Sequence, residues 1–185
     1  METLIKKLKT TTGSMFPLIA VFILFLLVLT AYLFEYLQCY TVAKQAQEAL
    51  QISTNTVAQE NYGDIFKDLK VAYTAYNSEL YAGVVLDDYV LNANALAVAF
   101  ANSTGSVRNG ATCTFVDEVN NPVYEIKDIK GVISLQGFVR SDADTTLMFP
   151  VSSTATVFVH PGGIMSGMGV IEFNITSTAD WTPRF

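Results

Sequence analysis

The chain has 185 residues, of which 51% are apolar and 15% charged, with a formal charge of −6. One ordinary domain fits that length, and the charged fraction lies well below the roughly 25% usual for soluble chains. These figures exclude a cytosolic soluble enzyme, a multi-span channel and a disordered tail, and two cysteines are too few for a disulfide scaffold.

Residues 1–13 form a basic leader, with Lys6, Lys7 and Lys9 against Glu2. The remainder carries eight basic and sixteen acidic residues. Basic residues beside a first span favour the cytoplasmic side, so the leader is expected inside and the acidic bulk outside. An acidic exterior without a Lys/Arg cluster cannot neutralise phosphates, which argues against nucleic acid as a partner.

From Met15 to Phe34, 18 of 20 residues are apolar, with Pro17 and Thr30 the exceptions. As a helix this run spans about 30 Å, the hydrocarbon thickness of a bilayer. Outside it the chain is roughly 46% apolar, an ordinary globular value. The run is longer than a signal-peptide core, and Leu33-Phe34-Glu35-Tyr36 offers no small-x-small cleavage site. A single-pass anchor is therefore expected. Thr11 to Ser14 can cap the start of the helix, and Gly13-Ser14 is a candidate junction for a prepilin peptidase.

The helical pattern continues past the span. Tyr36, Cys39, Ala43, Ala46, Leu50, Ser53 and Val57 recur at spacings of three and four, a heptad-like seam. No Gly or Pro interrupts residues 18–62, so one helix of residues 14–60, about 70 Å long, is expected to form both anchor and stalk. The seam's small residues permit close helix approach, either to the chain's own later elements or to other subunits. Glu35 either marks the outer edge of the span, where a carboxylate reaches water, or serves subunit assembly. A head of residues 61–185 follows.

The head reads as α+β. Ile65, Leu69, Ala72, Tyr76 and Leu80 suggest a second helix, and Leu86, Tyr89, Ala93, Leu96 and Phe100 a third, ending at Asn102–Gly105. Four strand-like runs follow at 112–119, 131–140, 151–160 and 169–178, divided by turn-forming residues. Short connections suggest an antiparallel meander, and helices followed by strands an α+β class.

Catalytic chemistry does not assemble. His160, the single histidine, precedes Pro161-Gly162-Gly163 and has no acid or nucleophile at a recognisable spacing. Cys39, Cys113 and His160 match no zinc pattern, and Asp142-Ala143-Asp144 lacks the ligand series of a calcium loop. The glycine-rich stretch from Pro161 to Gly169 has no P-loop lysine and reads as a flexible exposed loop. Neither enzyme activity nor a metal or cofactor is expected. Cys39 and Cys113 both lie outside, where a disulfide is permitted, and are a candidate pair; Cys39 equally suits the seam as a small apolar residue.

Taken in order, the basic leader, Gly13-Ser14, the apolar helix with Pro17-Leu18, Phe34-Glu35-Tyr36 and the Ala-rich Val42–Ala49 resemble the TadE/TadG-like pilin-like proteins of tight-adherence (Flp) type IV pilus systems. The tail Ala179-Asp180-Trp181-Thr182 is loosely similar. The resemblance implies a minor pilin or pseudopilin of the cell envelope, working with other pilin-like subunits and pilus assembly proteins. It assigns Gly13 and Ser14 to processing and Glu35 to assembly; the neighbouring seam residues Tyr36, Cys39, Ala43, Ala46 and Leu50 are candidates for subunit contact. One position departs from the pattern, since Leu18 stands where such proteins commonly carry Glu. The alternative is a single-span anchored domain that binds a ligand or senses one outside the membrane.

Overall fold

The computed structural model describes residues 2–61, 63–65, 67, 88–134 and 149–181. Helix α1 runs unbroken over Glu2–Glu60, about 88 Å at 1.5 Å per residue. It starts earlier than the sequence suggests, so Thr11 to Ser14 lie within the helix and do not cap it. Pro17 is also inside it, where it removes one backbone bond without ending the helix.

The head is a two-layer α+β unit built around the C-terminal half of α1. Strand β1 (Tyr89–Leu91) leads into helix α2 (Ala93–Thr104), followed by β2 (Val107–Asn109), β3 (Thr112–Val116), β4 (Pro122–Ile133), β5 (Phe149–Val159) and β6 (Ile171–Trp181). The sheet order is β2-β3-β4-β5-β6, and β1 pairs with the far end of β4. Every pairing is antiparallel. A 3-10 turn, Gly163–Met168, joins β5 to β6.

Local chemistry explains the elements. Along β5, Phe149, Val151, Ser153, Ala155, Val157 and Val159 are buried, while Pro150, Ser152 and Thr154 face solvent. That is the two-residue period of a strand with one face on a core. The Asn92 side chain caps α2 by accepting from the N–H groups of Asn94 and Ala95, at 2.9 and 3.4 Å. Gly105, at φ 71°, ends it, and its N–H donates to the Ala101 carbonyl. Helix α1 lies over β5 and β6, and α2 over β3 and β4. Leu50, Val57, Leu96, Phe100, Ile126, Ile133, Val151 and Val157 form the shared core.

Three expectations shift. The proposed third helix begins only at Ala93, because Tyr89–Leu91 pairs with Gly131–Ile133 as a strand. The run placed at 131–140 begins at Pro122, and the described residues form six strands where about four were expected. Its inward residues Tyr124 and Ile126 are followed by Ile129, Gly131 and Ile133, so the alternation changes parity. The cause is a bulge between Lys127 and Lys130, with Asp128 at φ 54°. Most of the second expected helix, and residues 135–140, lie outside the described residues.

Candidate functional site

The functional interest lies at the junction between bare helix and head. From Leu18 to Leu29 every large apolar side chain of α1 is exposed, and among the described residues one helix is long and apolar enough to cross a membrane. Burial begins at Cys39 and recurs at Ala43, Ala46, Leu50, Ser53, Thr54, Val57 and Ala58. The seam is therefore occupied by the chain's own sheet and α2. Ser53 and Ser103 hydroxyls meet across the two helices at 3.4 Å. Ala43, Ala46 and Leu50, offered above as subunit contacts, present no free surface: they are core of the head. Tyr36 falls off the buried stripe and is half exposed.

Glu35 sits between the two regimes. Its carboxylate accepts from the backbone N–H groups of Ile164 and Met165, both at 2.7 Å, one on each oxygen. Both donors lie in the first turn of the 3-10 segment, where backbone N–H groups have no partner within the turn. Two charge-assisted bonds to one carboxylate are short and strong. Gly163 makes this approach feasible. It adopts φ +56°, and a Cβ there would collide with Glu35 Oε1. Met165 is buried against the junction with only 3% of its surface exposed. The glycine-rich stretch is thus a pinned turn, contrary to the flexible loop expected from composition. Glu35 and the Gly-rich run each stand out in the sequence, but their pairing does not, because 129 residues separate them.

The cysteines are unbridged and buried. Cys113 faces α2, its thiol donating to the Ala97 carbonyl at 3.3 Å, while Cys39 belongs to the outer start of the α1 seam. The candidate disulfide is not formed in this arrangement. Burial pushes both thiols above their ordinary value, and the Glu35 charge adds to the rise at Cys39. Tyr124 is also raised, chiefly by burial, and its ring stacks on Phe115 at 5.4 Å between centroids.

At the same end of the sheet, Asp117 closes the β3–β4 turn. Its carboxylate accepts from the N–H groups of Val119 and Asn121, at 2.9 and 2.7 Å. The bond from Asn121 is the main reason its carboxyl is held below the ordinary value. The His160 N–H donates to the Val123 carbonyl at 2.9 Å, which ties β5 to the start of β4. Among the described residues no group of three or more His, Cys, Asp and Glu is placed to hold a metal ion. Asp142 and Asp144 fall outside those residues.

Compared with known proteins, the chain matches no family model, no curated protein and no solved structure. Its own geometry carries the functional argument: a bare apolar half-helix, a head built on the other half, and a carboxylate latch where they meet.

Proposed function

We propose that this chain is a non-enzymatic, membrane-anchored structural subunit, a minor pilin or pseudopilin of a tight-adherence type of pilus or secretion apparatus. The observation that carries this reading is the continuity of α1. One helix is a bare apolar rod over residues 18–34 and the core of the head from Cys39 onward. A hinge between anchor and head would suit a tethered receptor. A rigid continuous helix instead transmits axial load and displays the head at a set height and angle, as an assembling subunit requires.

In this reading the leader of residues 1–13 is cytoplasmic and the head lies outside. The seam is occupied within the chain, so partner subunits meet the anchor half and the exposed side of the stalk beyond Lys44, at Ile52 and Thr56. Co-expression with a prepilin peptidase tests it. The expected product begins at Ser14, and a Leu27→Cys variant cross-links within the membrane to itself or to copurifying pilin-like subunits. An intact leader together with a monomeric, uncross-linked chain would favour the anchored ligand-binding domain.

A further inference from the structure

We infer that the Gly163–Met168 turn is a second membrane-contacting element, seated in the interfacial layer of the bilayer beside the point where α1 emerges. The inference rests on the anchor reading above and adds a lipid-binding surface contributed by the head.

Position comes first. Phe34 is the last residue of the apolar run, and Glu35 follows it directly. Because Ile164 and Met165 hydrogen-bond to Glu35 at 2.7 Å, the turn is held within one side-chain length of the membrane boundary. Strand β5 ends and β6 begins at this turn. Strand β6 then runs outward alongside α1, with Gln47 donating to the Thr176 carbonyl. The turn is thus at the end of the head nearest the anchor.

Surface chemistry points the same way. Ile164 is 58% exposed, Met168 65% and Val170 49%. Pro161 to Ile171 contains no charged residue. The helix beside it exposes Leu33, Phe34, Tyr36, Leu37 and Tyr40, and α1 has no charge between Glu35 and Lys44. Lys44 Nζ lies 5.7 Å from the Tyr40 ring centroid. Tyrosines followed by a lysine mark the interfacial layer, where amphipathic rings and snorkelling cations are favoured.

The latch fits the same location. In a layer poor in water, unpartnered backbone N–H groups and an unpartnered carboxylate are both costly. Glu35 satisfies two of the turn's N–H groups while they satisfy its charge. The occupant of this apolar collar is therefore lipid, because the patch is continuous with the span itself.

The test uses the full chain in phosphatidylcholine vesicles with acyl chains brominated in one set near the headgroup and in another near the chain end, which quench tryptophan on contact at the boundary and at the bilayer centre respectively. Trp181, the single native tryptophan, is replaced by Phe throughout. Single tryptophans are then placed by Ile164→Trp, Met168→Trp, Phe25→Trp in the span and Val90→Trp at the opposite end of β4. All four side chains are exposed, so the substitutions need no core space. The expected result is about twofold or greater quenching at 164, 168 and 25, and none at 90, as burial in the headgroup–acyl boundary requires. Quenching at 25 with none at 164 and 168 overturns the inference and leaves the anchor standing. No quenching at 25 overturns both. Emission at 164 and 168 that responds to protein dilution but not to bromine assigns the patch to a second copy, which also overturns it.

Discussion

Glu35 and Gly163 fit each other so closely that a single added carbon separates them: a Cβ at Gly163 would occupy the space of Glu35 Oε1. The last residue before the head proper and a turn residue 128 positions later therefore act as one structural unit. The head cannot tilt freely on the apolar part of α1 while that unit is intact.

Glu35→Ala removes two charge-assisted bonds and leaves two N–H groups unpartnered, an expected loss of about 2–4 kcal/mol. Gly163→Ala adds the left-handed backbone cost of about 1–2 kcal/mol to the same loss. Thermal unfolding in nanodiscs measures both. The double variant is expected to be far less destabilised than the sum, because either change alone breaks the latch. Additive effects would show that the two residues are independent.

Ala46→Glu places a carboxylate where no surface is exposed, between α1 and the chain's own head. Destabilisation of 3 kcal/mol or more is expected, visible as loss of the folded head by circular dichroism. Glu48→Ala, on the exposed side of the same turn, should stay within about 0.5 kcal/mol of the parent. A folded Ala46→Glu head would contradict the intramolecular seam.

Gly131 lets α2 approach β4. A Cβ there would lie 2.9 Å from Leu96 Cδ1 and 3.0 Å from Leu91 Cδ1. Gly131→Ala is expected to cost about 1–3 kcal/mol as overpacking, measured as a lower denaturant midpoint. Combining it with Leu96→Val should recover part of that loss.

Asp117 titrates below its ordinary value of 3.8 because the turn's N–H groups, first that of Asn121, bond to its charged form. A depressed folded-state value stabilises the turn above the unfolded value. That contribution disappears as pH falls through the folded one. Carboxyl NMR should give a midpoint below 3.8, and Asp117→Asn should remove this acid-side dependence.

Both thiols are raised above 9.0, first by burial. The neutral forms are favoured, so their contribution to stability is complete below pH 9 and declines as pH rises through the folded-state values. Maleimide labelling at neutral pH should be slow for the folded chain and rapid for both cysteines after denaturation, because reaction needs the thiolate. A mass two hydrogen atoms lighter than the dithiol form would reveal a bridge and contradict the arrangement.

Much of the architecture is local and was therefore legible. The long apolar run, the unbroken α1, the α+β class and the alternation of β6, with Ile171, Phe173 and Ile175 against exposed Glu172, Asn174 and Thr176, all follow from periodicity and from the placement of Gly and Pro. Helix α2 starts later than its spacing suggests, since Tyr89–Leu91 takes its conformation from β4 and not from its own helical spacing. The first half of β4 is hidden in the sequence because Glu125, Lys127, Asp128 and Lys130 interrupt its apolar residues, and a one-residue bulge breaks their alternation.

The site divides along the same line. Composition alone determined that an acidic head follows one apolar run long enough to cross a membrane, because transfer of apolar side chains out of water depends on their number and run length. Two decisions needed the tertiary structure. One is that the small-residue seam faces the chain's own sheet, which depends on where distant strands pack. The other is that Glu35 holds the Gly163–Met168 turn, a contact set by folding geometry across 129 residues and invisible to any local pattern.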